Sequence, residues 1–277
     1  MTTQTGRIST AQTEVNGVHY NYAIQGKAGA PWVTFSHALA NNLTLWDDVA
    51  EKLSDRYMIL RFDHPGHGGT PAIPGPYSFD MLIENAIGLW DGLNIETSHW
   101  VGLSVGGMMG YGLAARYPDR LISLTACDSR PDAPPDYADY FQYRIDTARE
   151  KGMEGLVEST VERWFTPQSV ARNPPMLDKV RAMIRSTDPV GHEGCCQALK
   201  KLSFGPILDR IAVPTLVLGG ALDKGAPPDV LAATAAKIPG AKHVVIPHAG
   251  HITALENPEV FQEVLENFLA GFDRKML

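Results

Sequence analysis

The spacing of apolar and polar positions changes period repeatedly along this chain, and each change marks an element. Val18–Gln25 (VHYNYAIQ) alternates apolar and polar residues, the period-two signature of a half-exposed strand. Trp32–Ser36 (WVTFS) and Tyr57–Asp63 (YMILRFD) are short apolar runs closed by turn or polar residues, and read as strands buried on both faces. Between them the period lengthens. Leu45, Val49 and Leu53 share one face of a helix over Leu43–Leu53, with Trp46 beside them. Helical spacing returns over Phe79–Leu93 and over the small-residue stretch Val105–Tyr117. Strand-like runs return at His99–Leu103, Leu121–Cys127, Thr215–Leu218 and His243–Ile246. A closing helix over Pro258–Phe272 carries Val260, Phe261, Val264 and Phe268 on one side. This alternation predicts an α/β fold built on a mostly parallel sheet covered on both faces.

One segment breaks the rhythm. Arg130–Phe204 opens with RPDAPPDYADYF and continues in helical patterns with charged faces, over Ile145–Val161 and Met176–Ser186, without a strand-like run. It is expected to be a helical cap, residues 130–204, inserted into a core formed by residues 1–129 and 205–277. No internal repeat is found.

Composition narrows the function classes. With 277 residues, 44% of them hydrophobic and 20% charged, the chain has core material for a stable globule and is not disordered as a whole. A formal net charge of −7 argues against a general nucleic-acid surface, which needs clustered Lys and Arg. No apolar run approaches the ~18 residues of a membrane span. Met1–Thr10 lacks the apolar region of a secretory signal, so none is expected. Three cysteines, Cys127, Cys195 and Cys196, make an odd count with two adjacent, which is no disulfide framework. They are expected to be small buried residues. Neither CxxC nor HExxH occurs, so no metal site is expected. The reading is a reduced, cytoplasmic protein that needs no metal or organic cofactor.

The chemistry concentrates at strand ends. Gly102-Leu103-Ser104-Val105-Gly106 matches G-x-S-x-G between a predicted strand and a predicted helix, the context of a nucleophile elbow. A serine needs a base, and the base needs an orienting carboxylate. Asp223 follows the strand Thr215–Leu218 through Gly219-Gly220-Ala221-Leu222, and His251 follows the last strand through Pro247-His248-Ala249-Gly250. Three such residues at the carboxyl ends of three strands can converge on one sheet edge. His248 as base and Asp128 as acid are the alternatives. His37, His64, His67, His99, His192 and His243 read as ordinary turn or surface histidines. An oxyanion hole is expected from the backbone N–H of Val105 and from that of Leu39, in the loop after Trp32–Ser36.

Taken together, these residues resemble the α/β-hydrolase fold over nearly the whole chain. The landmarks are Ser36-His37-Ala38-Leu39 for the H-G-x oxyanion loop, Asp63-His64-Pro65-Gly66-His67-Gly68 for the D-x-R-G-H-G loop, the Ser104 elbow, and Asp223 with His251. Within that fold the chain is similar to the 3-oxoadipate enol-lactonases. Pro74-Gly75-Pro76-Tyr77-Ser78, Arg163-Trp164-Phe165-Thr166-Pro167, Gly194-Cys195-Cys196-Gln197-Ala198-Leu199 and Ala249-Gly250-His251-Ile252 resemble their G-P-Y-S, R-W-F-T-P, G-C-x-x-A-[IL] and histidine-loop motifs. It departs from them at His37-Ala38, where they often have Asn-Ser, at Pro65, where Arg is usual, and at Ser129–Pro134, where they continue T-A-x-x-I-G.

The resemblance implies a serine hydrolase of aromatic catabolism that opens a small carboxylated enol-lactone through an acyl-enzyme. A carboxylated substrate needs a cation at the pocket wall. Arg130 is the foremost candidate, with Arg144 and Arg163, and Trp164 is expected to line the pocket. A general carboxylesterase or perhydrolase fits the same residues, as do a carbon–carbon bond hydrolase and a ligand receptor that does not turn over. A haloalkane dehalogenase does not fit, because its elbow residue would be Asp. The expected partner is a small ester or lactone, and self-association is left open. Met108-Met109 is expected to pack under the elbow rather than mark an interface.

Overall fold

The computed structural model describes residues 9–272. Eight strands form one sheet in the order β1-β2-β4-β3-β5-β6-β7-β8. They are β1 (Ser9–Val15), β2 (Val18–Gly26), β3 (Trp32–Ser36), β4 (Met58–Phe62), β5 (Ser98–Leu103), β6 (Leu121–Cys127), β7 (Thr215–Gly220) and β8 (Lys242–Ile246). β1 and β2 run antiparallel to their neighbours, and every pairing from β4 to β8 is parallel. β1 joins β2 through Asn16-Gly17, both at positive φ (51° and 79°), which gives the turn a twist that matches the paired strands.

β3 to β7 are almost wholly buried because helices cover both faces, which is why their sequences read as apolar runs. Neighbouring residues of β5 show the two sides. Trp100 packs edge-on against Trp90 of α2 (Phe79–Gly92) and donates to the Gly106 carbonyl of α3 (Val105–Arg116). His99 turns the other way, toward Phe272 just beyond the closing helix. On that second face Trp46 sits between Phe35 and Phe261, next to α1 (Asp47–Leu53).

Between β6 and β7 the chain runs through five helices: α4 (Tyr137–Lys151), α5 (Val157–Trp164), α6 (Pro167–Arg172), α7 (Pro175–Ser186) and α8 (Pro189–Leu199). Local chemistry sets their ends. Thr166 and Asp188 cap α6 and α8 through their side chains, and Pro opens α6, α7 and α8. The continuous helical pattern read over Ile145–Val161 is interrupted. Gly152, at φ 67°, ends α4, and a short 3-10 turn leads into α5. A single bridge between Asp132 and Ser203 draws together the two chains that enter and leave this segment. After β7 come α9 (Pro228–Lys237), which packs on β7 and β8, then α10 (Thr253–Glu256) and α11 (Pro258–Leu269). Among the described residues no helix is long and apolar enough to cross a membrane.

Candidate active site

The site is built at the carboxyl ends of β3, β5, β7 and β8, beside the point where the chain switches from one side of β3 to the other. Ser104 sits between β5 and α3 at φ 54° and ψ −114°, a conformation that an L-residue holds only under constraint. Close packing imposes it. A Cβ at Gly102 would lie 2.2 Å from the backbone of Gly106, and one at Gly106 would lie 2.3 Å from the Ser36 carbonyl. Only glycine lets the helix start this near β3 and β5. The Ser104 N–H donates to the Cys127 carbonyl (2.9 Å), which anchors the turn to β6.

Asp223 and His251 meet directly. The Nδ1–H of His251 donates to Asp223 Oδ2 at 2.8 Å, which leaves Nε2 to act as an acceptor. Asp223 Oδ1 accepts from the Gly225 N–H (2.7 Å). Burial pushes the Asp223 carboxyl up, but the His251 charge and hydrogen bond outweigh it and hold Asp223 below the usual carboxylate range. Burial pulls His251 down, and Asp223 reverses that and raises it above the ordinary histidine value. Ser104 and His251 line the same cleft, with about 470 Å³ of empty space when the open mouth is included. A hydroxyl, an imidazole and a carboxylate so disposed can activate the hydroxyl toward a carbonyl.

The alternatives are arranged differently. His248 is exposed, at φ 56° in the turn after β8. Asp128 is fully buried, but it accepts from the Gly220 N–H (2.9 Å) and the Thr253 hydroxyl (2.6 Å) rather than from His251. Burial and the nearby Asp223 charge push Asp128 up to about 8.

Leu39 lines the cleft, and Val105 opens α3. Among the described residues no carbonyl takes the Leu39 N–H. Its direction is governed by His37, a residue the sequence reading passed over as an ordinary histidine. The Nδ1–H of His37 donates to the Ala38 carbonyl (2.7 Å), and its Nε2 accepts from the His64 N–H (3.0 Å). Ala38 C=O and Leu39 N–H belong to one trans peptide and point opposite ways, so tying down the carbonyl aims the N–H away from the imidazole. His64 and His67 pack on the same ring, at centroid distances of 4.2 and 5.4 Å. Far from being surface residues, His37, His64, His67, His99 and His192 are all buried. The surface reading fails because His37, His64 and His67 fill space beneath the loop, His99 lies within the buried β5 and His192 packs beside Arg144, none of which alternation along the chain reveals.

The cleft wall comes largely from α4 and α5. Trp164 lines it, with its ring 6.2 Å from that of His251, and Met108 lines it beneath Ser104. Met108 and Met109 are both buried, as their position under the elbow suggests. Arg130 is not in the wall, which corrects the sequence expectation. Its guanidinium stacks on Tyr137 (5.2 Å) and donates to the carbonyls of Asp132 (2.9 Å) and Gly225 (3.1 Å), behind the cleft. The wall cations are Arg144 and Arg163. Arg144 is 3% exposed, bonds Thr160 Oγ1 (2.9 Å) and the Tyr140 hydroxyl (3.3 Å), and leaves Nε without a partner. Arg163 lies over the Tyr140 ring at 4.4 Å. Among the described residues no carboxylate pairs with either. The three cysteines are free and buried, and among the described residues no cluster of three or more His, Cys, Asp or Glu is disposed to hold a metal ion.

Comparison with known proteins agrees with this architecture. The α/β-hydrolase fold family matches residues 31–258. The chain is 30% identical to 3-oxoadipate enol-lactonase 2 of Acinetobacter baylyi over 92% of its length and 95% of that protein's. Among solved structures it superimposes on the enol-lactonase from Burkholderia xenovorans LB400 with a TM-score of 0.90 and 32% identity, covering 94% of this chain and 100% of that one. It also superimposes on a thermophilic esterase from Thermogutta terrifontis, solved with malate bound, with a TM-score of 0.87 and 26% identity over 96% and 99% of the two chains. The sheet order, the elbow and the matched length lead to one conclusion: the chain belongs to the α/β-hydrolase fold family.

Proposed function

We propose that the protein is a serine hydrolase that opens a small carboxylated lactone, of the enol-lactone type, through an acyl-enzyme. His251, oriented by Asp223, takes the Ser104 proton as Oγ attacks the ring carbonyl. The N–H groups of Leu39 and Val105 hold the oxyanion. The ring C–O bond then breaks, and His251 returns the proton to the departing enol oxygen. That enol becomes a ketone, which draws ring opening forward. Water deprotonated by His251 attacks the acyl carbonyl and releases the acid and Ser104.

One observation carries the substrate class. Arg144 is a buried guanidinium without a carboxylate partner in the wall of the cleft that holds Ser104 and His251. A buried charge is costly unless paired, and a substrate carboxylate supplies the missing partner through charge-assisted hydrogen bonds. The similarity to two enol-lactonases supports the lactone, and malate in the related esterase structure is likewise a carboxylate. The partner implied is a small molecule, with no nucleic acid and no membrane involved, and the Ser-His-Asp chemistry calls for no cofactor. The helices of residues 130–204 act in this reading as the cap that selects the acyl group.

The test is a pH-stat comparison of a carboxymethyl enol-lactone, a neutral lactone and an open-chain ester, with Ser104→Ala as control. A preference of ~100-fold for the first, worth about 2.7 kcal/mol of differential transition-state binding, is the expected result. Equal rates, or a preference for the open ester, would transfer the protein to the general carboxylesterases. An active Ser104→Ala variant would remove the mechanism altogether.

A further inference from the structure

The R-W-F-T-P stretch at the end of α5 has a second connection, to the loop that carries His251. The His251 N–H donates to the Trp164 carbonyl at 2.6 Å. Glu256, at the end of α10, closes a clasp around this contact. Its Oε2 accepts from the Gly250 N–H (2.7 Å), and its Oε1 accepts from both the N–H (2.8 Å) and the hydroxyl (2.7 Å) of Thr166. The approach is close enough that a Cβ at Gly250 would lie 2.4 Å from the Trp164 oxygen. Three donors converge on one half-buried carboxylate, one from the histidine loop and two from the α5–α6 corner. Charge-assisted bonds of this length are among the stronger contacts a protein makes.

We propose that Glu256 is a positioning residue that binds the Trp164–Thr166 corner to the Gly250–His251 backbone, so that the imidazole is aligned with Asp223 only while that corner is seated on the core. The proposal rests on the reading of His251 as the base. It adds that the segment over the cleft and the base move as one unit: lifting the corner breaks the His251–Trp164 bond and both Thr166 bonds. Nothing in the reaction itself requires a carboxylate at residue 256, which touches neither the cleft nor Asp223.

Glu256→Gln is the discriminating variant. It keeps the shape but turns one acceptor oxygen into a donor, so either the Gly250 N–H bond or the Thr166 N–H bond is lost whichever way the amide turns. Turnover of 4-nitrophenyl acetate is measured per active site titrated with a fluorophosphonate, alongside the labelling rate of Ser104. Both should fall by about tenfold or more, because a small misplacement of a catalytic group costs that much. A purely structural role would lower the thermal midpoint and the number of titratable sites while leaving the rate per site unchanged. Thr166→Val, which keeps the N–H bond and loses the hydroxyl bond, should give a smaller fall and carries the test if Glu256→Gln does not accumulate. Rates per site within about twofold of the parent overturn the proposal. If Ser104→Ala is inactive in the same assay, that failure belongs to the clasp alone. If Ser104→Ala stays active, the catalytic reading falls and the clasp proposal with it.

Discussion

Taking the protein from pH 7 to pH 5 should remove several kcal/mol of folding free energy, and the buried imidazoles set the amount. Burial holds His64 down to about 3 and His67 to about 4, and keeps His37 and His192 well below the ordinary value. In the unfolded chain all four titrate near 6.5. Below that pH the unfolded state binds protons that the native state refuses, so the stability these groups give is present above 6.5 and is lost as pH falls toward their folded values. Between pH 7 and pH 5 four such groups cost about 7 kcal/mol. Asp128, raised to about 8, works in the other direction. The folded protein keeps its proton where the unfolded chain releases it, which returns about 3 kcal/mol over the same interval. Asp63, raised by burial despite its three hydrogen-bond donors, adds to the return at the acid end. His251 is raised, so the stability it gives is fully present below 6.5 and is lost only as pH rises above that value, which adds a further small return on acidification. The balance is a loss of about 4 kcal/mol, against a typical total of about 5–15 kcal/mol. Urea unfolding followed by tryptophan fluorescence at pH 7, 6 and 5 measures it. A change below about 1 kcal/mol would refute the reasoning, since it would mean the imidazoles titrate normally in the fold. His67→Gln removes one of the four and should flatten the slope near pH 5 by about 1.4 kcal/mol per pH unit.

Four further outcomes are expected. Arg144→Met should raise KM for a carboxylated lactone by about 10- to 100-fold, the worth of a hydrogen bond to a charged group, while leaving a neutral ester nearly unchanged; steady-state kinetics on the pair checks this. The acid limb of kcat/KM should lie above pH 6.5, because Asp223 raises His251 and the base must be neutral to accept the serine proton. Asp223→Asn should move that limb downward and lower kcat by roughly 10⁴-fold, as loss of the orienting carboxylate does in serine hydrolases, and a pH–rate profile reads both. Gly106→Ala, whose new methyl would meet the Ser36 carbonyl at 2.3 Å, should cost about 1–3 kcal/mol in chemical denaturation through overpacking between α3 and β3.

Much of this molecule is legible in its residues, and the exceptions have physical causes. The buried strands announce themselves because helices on both faces favour apolar or small residues on both sides of the strand, as in WVTFS and LISLTAC. β1 gives no such signal. STAQTEV is mostly exposed, and it is a strand because β2 pairs with it, not because its own pattern requires one. The elbow is legible because glycine has few substitutes where a helix crosses a strand end this closely. The contact between Asp223 and His251 follows from the order of strand ends. Arg130 is not legible as lying outside the cleft wall, because sequence does not reveal that its guanidinium stacks on Tyr137 and bonds the Asp132 and Gly225 carbonyls. The Glu256 clasp lies equally out of reach, since its partners, Thr166 and Gly250, converge only once α5 and α6 are seated over the sheet.

The insertion between β6 and β7 also sets a timetable for synthesis. β6 pairs with β7 through Leu124–Cys127 and Thr215–Leu218, yet roughly 90 residues separate the two strands along the chain, about 5–20 s of translation at ordinary elongation rates. Throughout that interval an apolar strand stands with one row of its N–H and C=O groups unpaired, the kind of edge that recruits a neighbouring chain. The residues emerging meanwhile form α4 to α8, whose contacts are largely local and quick to form. Asp223 and His251 follow only after β7 and β8, so a nascent chain carries Ser104 long before it carries the carboxylate and imidazole that meet across those strand ends. The cleft that holds Ser104 and His251 is thus completed only with the last strand of the sheet.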